Sequence, residues 1–242
     1  MNFARLEKLL GYKFGNPALL KRAVTHRSWA HENLPGESDE TLRESQNESL
    51  EFVGDSVLGL VIAEQLFTKH PSLSEADLTL MKHHLVSAAT LTKIAQDLGL
   101  SEFVRVGRGE EKTGGRKKHA ILANTLEAII AAVFFDGGYE ASLSFINRLF
   151  ADEIENVTPE SSLDYKTLLQ ETLQAEKLSA PVYSLVKTEG LPHARTFFVE
   201  ASWNAGKAEG TGGSIKSAEM MAASEALKTL QRQIQKDSKR NG

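Results

Sequence analysis

Three acidic residues in the segment NESLEFVGD have the types and spacing that chemistry could use: Glu48, Glu51 and Asp55. Successive acids are three and four residues apart, so on an α-helix their carboxylates lie along one face within about two turns. Like charges in this arrangement repel each other, and a bound cation would remove the repulsion. The same spacing is typical of the solvated face of an ordinary helix, so spacing alone leaves both interpretations open.

A second segment, HAILANTLEAIIAAVFFDGG, adds two more oxygen-bearing side chains. Glu127 follows Asn124 by three residues, so both side chains share one face of a helix. Alanines in this segment, together with Gly54 and Gly59 in the first, would let the two helices approach closely. Gly inside a helix costs about 1 kcal/mol relative to Ala, and we expect a close helix contact to compensate for that cost.

If the two helices pack together, four oxygen ligands converge: Glu51, Asp55, Asn124 and Glu127. Hard oxygen ligands of this kind suit Mg²⁺, with Mn²⁺ as a substitute. Such a site could support metal-assisted hydrolysis of a phosphodiester. A di-iron carboxylate bundle is the other metal site to consider, but it requires Glu-x-x-His pairs, and the sequence contains none.

The elements that must position this cluster form two parts. Nearly every segment of residues 1–157 has helical periodicity, which predicts a helical domain. Residues 158–163 are short, mostly polar and contain a proline, as is typical of a linker. Residues 164–234 have the pattern of a helix, three short strands and a second helix, and residues 235–242 form a polar tail.

Capping residues indicate where some helices begin. Asn16 followed by Pro17 predicts a helix start, because Asn can accept from a free backbone N–H and Pro has no N–H to leave unpaired. Ser74 predicts another start, and Gly99 is a natural end for a single long helix from that point.

The composition, with 41% hydrophobic and 25% charged residues, predicts a soluble globular protein. No apolar run approaches 18 residues, so we expect neither a membrane span nor a signal peptide. The chain has no cysteine, which excludes disulfides and thiolate metal sites and fits a reducing compartment. The Walker motif is absent as well, and we predict no nucleotide cofactor.

Charge is unevenly distributed along the chain. The formal net charge of −4 argues against a uniformly basic nucleic-acid-binding protein. Residues 164–242 carry 11 Lys and Arg against 9 Asp and Glu, whereas residues 1–163 carry 17 against 23. The excess of acid therefore lies in the part that contains the acidic cluster.

The segment NESLEFVGD resembles N-E-R-L-E-F-L-G-D, the signature of the ribonuclease III family, with Ser49 and Val53 as the two differences. The segments THRSWAHE and LANTLEAIIAAVFFDGG resemble that family's T-H-x-S-Y-x-x-E and L-A-D-x-x-E-A. The α-β-β-β-α part resembles a double-stranded-RNA-binding domain. The implied fold is an all-α endonuclease domain followed by a small α+β (α-β-β-β-α) double-stranded-RNA-binding domain.

The resemblance also implies an activity and a setting. The expected enzyme is a cytoplasmic homodimer that uses Mg²⁺ to cleave double-stranded RNA, leaving 5′-phosphate and 3′-hydroxyl ends. Its expected role is the processing of ribosomal and other RNA, including messenger RNA.

Residue by residue, the resemblance assigns metal binding to Glu51, Asp55 and Glu127, with Asp55 and Glu127 closest to the chemistry. The family commonly has Asp where this chain has Asn124, and an amide oxygen can still coordinate a hard cation, though as a neutral ligand. A double-stranded-RNA-binding protein with weak or no turnover is therefore the alternative to an active nuclease.

Other residues of the first part match positions that contact RNA or a partner. Glu48 and Glu75 correspond to acids that line the RNA-binding valley. Phe52 matches an aromatic residue that packs into the partner subunit, although burial within its own subunit is an equal possibility. His26 is expected to be a hydrogen-bonded structural residue and not a catalyst.

The second part carries the expected RNA contacts. Thr167, Gln170 and Glu171 share a helix face that matches minor-groove contacts, and His193 lies in a turn that resembles the loop entering the next minor groove. Lys216 remains from the usual pair of lysines at the last helix, because Ile215 replaces the other. In the first part, the glycine-rich stretch of residues 107–119 ends in basic residues that either are solvated or border the RNA.

Overall fold

The structure is a computed structural model that describes residues 2–191 and 195–240. It divides into two compact units, Met1–Ser162 and Leu163–Gly242. The described residues of the first unit are helical, and the second unit combines two helices with a three-stranded sheet. This is the fold class that the sequence predicts.

Eleven α-helices form the described part of the first unit. They are α1 (Phe3–Leu10), α2 (Pro17–Ala23), α3 (Arg27–Asn33), α4 (Asp39–Glu44), α5 (Glu48–Lys69), α6 (Glu75–Leu85), α7 (Ala88–Asp97), α8 (Arg108–Lys112), α9 (His119–Leu149), α10 (Ala151–Asn156) and α11 (Pro159–Ser162). Short 3-10 helices cover Leu100–Glu102 and Gly115–Lys117, and an isolated parallel bridge pairs Thr25 with Arg105.

The predicted helix starts at Asn16 and Ser74 are confirmed. The Asn16 side chain accepts from the N–H of Ala18, and Ser74 accepts from the N–H of Asp77. The single helix expected between Ser74 and Gly99 was wrong, because α6 ends at Leu85. Ser87 then accepts from the N–H of Thr90 and starts α7 as a separate helix.

Helices α5 and α9 pack along each other at the centre of the first unit. A Cβ on Gly54 would overlap the backbone carbonyl of Glu127, so the contact requires glycine at this point. Gly59 differs, since a Cβ there would only touch the Lys82 side chain at 3.5 Å. The expected close approach therefore depends on Gly54 and not on Gly59.

Helix α9 supplies much of the hydrophobic core, including Leu126, Ile129 and Ile130, which are fully buried. Among the described helices it is long and apolar enough to cross a membrane by length and composition, yet 61% of its apolar window is buried inside the protein. The helix continues across a kink at Gly138, where φ is 75°.

The second unit has the order α12 (Tyr165–Ala175), β1 (Val182–Glu189), β2 (Thr196–Trp203), β3 (Gly206–Gly212) and α13 (Ile215–Arg240). The strands form one antiparallel sheet in the order β1-β2-β3, with a register shift between Leu185 and Lys187. Its core contains Leu169 and Leu173 of α12, Trp203 of β2 and Leu227 of α13.

Two segments contain helix beyond what the sequence predicts. Helix α11 lies inside residues 158–163, the stretch predicted to be a linker. Helix α13 extends to Arg240, so most of the expected polar tail of residues 235–242 is helical. Polar composition predicts solvent exposure, and an exposed segment that follows a long helix can continue that helix.

Candidate active site

A cavity of about 720 Å³ opens where α5 and α9 pack together. Glu51 and Asp55 of α5 and Asn124 and Glu127 of α9 all line it. The structure thus brings the four predicted metal ligands to one place. The remaining lining residues are His26, Arg27, Asn47, Glu48, Phe52, Ala120 and Ile121.

Buried polar contacts fix the start of α5. Asn47 is almost fully buried, its backbone N–H donates to the Thr25 carbonyl at 2.9 Å, and its Nδ2 donates to the Ala23 carbonyl at 3.3 Å. Gln46 is also buried. Its Oε1 accepts from the backbone N–H of Glu48, and its Nε2 donates to the Glu48 carboxylate. These contacts hold the first acidic turn against the rest of the unit.

The electrostatics of the cavity show an excess of negative charge. Burial, followed by the nearby charges of Asp55 and Glu51, raises the pKa of Glu127 to about 7. Burial also raises the pKa of Glu51, and a hydrogen bond donated by Asn124 opposes this rise. A cation in the cavity would remove the repulsion that favours protonation of these carboxyls.

The donor set fits a hard divalent cation in its chemistry. Three carboxylates and one amide line a single cavity, and the raised pKa of Glu127 marks a place where positive charge is favourable. As the side chains stand, no group of three or more His, Asp or Glu among the described residues is close enough to hold an ion. Side-chain rotations would have to bring the ligands together.

Arg27, which sequence reasoning missed, also lines the cavity. Its guanidinium lies 3.3 Å from the Glu48 carboxylate, and both side chains are exposed. The nearest signal was its place in the segment THRSWAHE, whose residue types do not reveal which way a side chain points. His26 is the N-cap of α3, accepting from the N–H of Ser28, and burial lowers the pKa of its imidazole.

Two residues of the first unit that were predicted to contact RNA or a partner subunit, Glu75 and Phe52, lie in different environments. Glu75 begins α6, is exposed and does not line the cavity. Phe52 lines the cavity rim but is 76% exposed, so the structure does not bury it within its own subunit.

In the second unit, Thr167, Gln170 and Lys216 line one cavity of about 500 Å³ beside α12. Glu171 is exposed on the same helix but does not line that cavity. The Thr167 hydroxyl donates to Asp164, which caps α12. His193 lies outside the described residues.

The glycine-rich stretch of residues 107–119 contains α8 and a 3-10 helix. Arg116 pairs with Glu111, and Lys118 pairs with Glu110. These acids offset much of the positive charge that suggested an RNA contact.

Comparisons with known proteins match both units. A family model described as Ribonuclease-III-like matches residues 16–154, and one described as Double-stranded RNA binding motif matches residues 165–230. A protein named Ribonuclease 3 from Magnetococcus marinus is 41% identical over 93% of this chain and 92% of its own length. Another of that name from Carboxydothermus hydrogenoformans is 43% identical over 95% and 96%.

Solved structures of ribonuclease III nuclease domains are similar to the first unit. The nuclease domain of ribonuclease III from Campylobacter jejuni is 36% identical with a TM-score of 0.56, covering 63% of this chain and 98% of that domain. That structure is described as showing structural flexibility in a region involved in dimer formation. A second structure of the same domain is 35% identical with a TM-score of 0.57.

Proposed function

Because this chain belongs to the ribonuclease III family and is an endoribonuclease with a double-stranded-RNA-binding domain, we propose that its cleavage depends on a divalent metal ion. The ion is Mg²⁺, with Mn²⁺ as a substitute, and the products carry 5′-phosphate and 3′-hydroxyl ends. The observation that supports this proposal is the acidic cavity, in which the pKa of Glu127 is raised to about 7.

Glu51, Asp55, Asn124 and Glu127 would hold the metal ion. When bound, the ion supplies a Lewis acid that stabilises charge developing on the phosphate. Asp55 and Glu127 supply the charges closest to this chemistry. Glu127 must give up its proton before it can act as a ligand, which a pKa of about 7 allows near neutral pH.

Arg27 and Glu48 have a positioning role in this proposal. Arg27 is exposed at the cavity and carries a charge that suits an RNA phosphate. Glu48 holds that guanidinium at 3.3 Å and is itself held by Gln46. The pair would orient RNA at the entrance, while Glu75 would contact it away from the cavity.

RNA binding by the second unit would use the face that includes Thr167, Gln170 and Glu171, together with Lys216 at the start of α13. A-form RNA exposes 2′-hydroxyls in a shallow minor groove, which polar side chains on a helix can contact. All four residues are exposed. His193 remains a predicted contact.

We place the homodimer interface on an exposed apolar stripe of α5, formed by Phe52, Leu60 and Phe67. These side chains are 76%, 58% and 70% exposed. Their spacing of eight and seven residues puts all three on one side of the helix. A stripe of this kind on a soluble protein is typical of an interaction surface. The proposed setting is the cytoplasm, with ribosomal and messenger RNA precursors as substrates.

Long double-stranded RNA tests the proposal directly. After incubation with Mg²⁺, a denaturing gel should show short products that accept a 5′ label only after phosphatase treatment. In EDTA the RNA should remain intact. Intact RNA across a range of Mg²⁺ and Mn²⁺ concentrations would favour the alternative, a double-stranded-RNA-binding protein in which Asn124 has removed turnover.

A further inference from the structure

A second cavity of the first unit, of about 280 Å³, has walls of the opposite charge to the acidic cavity. Its charged lining residues are three cations and one acid: Lys21, Arg22, Arg105 and Glu44. Trp29 adds an aromatic surface. The net positive charge of these walls favours an anionic ligand.

Contacts on both its side chain and its backbone constrain Arg105, one cation of this cavity. Its guanidinium lies 3.5 Å from the centroid of the Trp29 ring, and one of its nitrogens donates to Thr25 Oγ1 at 3.0 Å. The backbone of Arg105 is also fixed, because its N–H donates to the Val24 carbonyl and its carbonyl accepts from His26. The side chain is therefore held over the ring before any ligand arrives.

The guanidinium of Arg105 is partly buried, and no acidic side chain among the described residues pairs with it. Burial lowers the pKa of its guanidinium. Within the described residues, no carboxylate forms an ion pair with it. A guanidinium has five N–H donors, so most of them remain available to a ligand.

Two further cations lie on α2. Arg22 is fixed by three hydrogen bonds, from Nε to the Gln46 carbonyl at 3.1 Å and from Nη2 to the Arg43 carbonyl at 3.2 Å and to Ser49 Oγ at 2.8 Å, which leave the Nη1 donors for a ligand. Lys21 is exposed, and its ammonium has no ion pair among the residues that the structure describes. A planar guanidinium and a mobile ammonium together suit the oxygens of a phosphate group.

We propose that Lys21, Arg22, Trp29 and Arg105 form a phosphate-binding site, which we call the cationic cavity. Its volume of about 280 Å³ lies just below the range for small-ligand pockets, about 300 to 1,000 Å³, and suits a small ligand such as a phosphate with an attached sugar. The phosphate comes either from a free nucleotide or from an RNA backbone. Binding there needs no divalent metal and does not depend on cleavage.

The first arm of the test uses free phosphates. The full-length protein in EDTA is titrated calorimetrically with adenosine monophosphate and with inorganic phosphate. Lys21→Ala should weaken binding about threefold and Arg105→Gln about tenfold, because the first loses an exposed charge and the second a half-buried guanidinium. Glu44→Gln should strengthen binding, since it removes the one acid of the cavity wall. Lys13→Ala, an exposed lysine outside the cavity, is the matched control.

The second arm uses double-stranded RNA in EDTA at several salt concentrations. If the RNA backbone supplies the phosphate, Lys21→Ala should reduce the slope of log K against log salt by roughly one, and Lys13→Ala should not. A normal RNA slope together with weakened nucleotide binding would identify a free nucleotide as the ligand.

No binding of either free phosphate by the wild-type protein, together with wild-type RNA slopes for Lys21→Ala and Arg105→Gln, would overturn the proposal. Circular dichroism shows whether Arg105→Gln folds, and the exposed Lys21 gives an independent variant if it does not. Since both arms are run in EDTA, their outcome is separate from that of the cleavage assay.

Discussion

Glu127 is the residue whose ionisation is changed most clearly by the cavity. Burial and two neighbouring carboxylates raise its pKa from 4.5 to about 7, so the folded protein holds this proton more tightly than the unfolded chain does. The stability that results is fully present below about pH 4.5 and is lost as the pH rises through about 7. The metal-free protein should therefore lose stability between these values.

Glu127→Gln should remove this pH dependence, because the amide cannot ionise. In EDTA at pH 8 we expect the variant to be more stable than the wild type by roughly 1 kcal/mol, after allowing for partial exposure. At pH 5 the two should be nearly equal. Thermal unfolding at both pH values measures the difference, and Glu75→Gln serves as the control for an exposed acid. Equal gains at both pH values would contradict the assignment.

Asn124→Asp should act in opposite directions with and without metal. The new carboxylate gives a cation a full charge partner, so half-maximal cleavage should require less Mg²⁺. Without metal, the change replaces a donor to Glu51 with a like charge, so the melting temperature in EDTA should fall. Cleavage rates across a Mg²⁺ series and melting curves in EDTA measure the two effects. An unchanged Mg²⁺ requirement would place residue 124 outside the coordination sphere.

At the scale of single residues, the sequence predicted the acidic ligands of the cavity but not the residues that surround them. The spacings of Glu51, Asp55, Asn124 and Glu127 predict which side chains share a helix face, and packing of two helices then brings them together. Arg27 reaches the cavity because it is the first residue of α3, and periodicity does not predict which way the first side chain of a helix points. The cationic cavity was missed for the same reason, since Arg105 meets Trp29 only through tertiary contacts.

Among the elements, the contact between α5 and α9 matters most because it sets the distance between the two halves of the acidic cavity. At one point along this contact, α5 must have no side chain. At Gly54 the backbone carbonyl of Glu127 occupies the position that a Cβ would take.

The two glycines of α5 provide a matched pair of variants. Gly54→Ala should destabilise the protein by roughly 3 kcal/mol or more, since the backbones must separate, and should also reduce cleavage. Gly59→Ala meets only the flexible Lys82 side chain at 3.5 Å and should be neutral or stabilising by up to about 1 kcal/mol. Chemical denaturation measures both. Similar losses for the two variants would show that the helix contact does not depend on Gly54.

The sequence predicted that α5 and α9 are helices, but it predicted the ends of helices less well. Continuous periodicity from Ser74 to Gly99 hides the break at Val86 and Ser87. The break depends on Ser87 accepting from Thr90 and on Thr90 donating to the His84 carbonyl. Such local hydrogen bonds compete with the helix, and serine and threonine permit either outcome.

For the whole molecule, the exposed apolar stripe of α5 predicts self-association. Leu60→Glu places a charge in the proposed interface and should convert a dimer to a monomer at micromolar concentrations, as measured by sedimentation equilibrium. Leu185→Glu, on a similarly exposed leucine of β1, should leave the dimer intact. A wild-type monomer at these concentrations, or a dimer that tolerates Leu60→Glu, would contradict the proposed interface.

The two-part organisation was visible in the sequence because a short polar stretch with a proline, residues 158–163, precedes a segment in which three strand-like runs lie between two helices. The three strands were predicted as short runs joined by turns that contain Gly, Pro and Asn, and β1 and β2 are also rich in β-branched and aromatic residues. The C-terminal end of α13 could not be predicted from the sequence, because the polar end of a helix and a polar tail have the same composition.

Cleavage and binding of the same double-stranded RNA by Glu127→Gln test the central claim most directly. Wild-type protein and variant are compared in saturating Mg²⁺ under single-turnover conditions, and RNA affinity is measured in EDTA. We predict that the variant cleaves at least about 100-fold more slowly and binds RNA with nearly wild-type affinity, since binding uses mainly the second unit. Cleavage at the wild-type rate would show that Glu127 is not a metal ligand and that the cavity between α5 and α9 is not the active site.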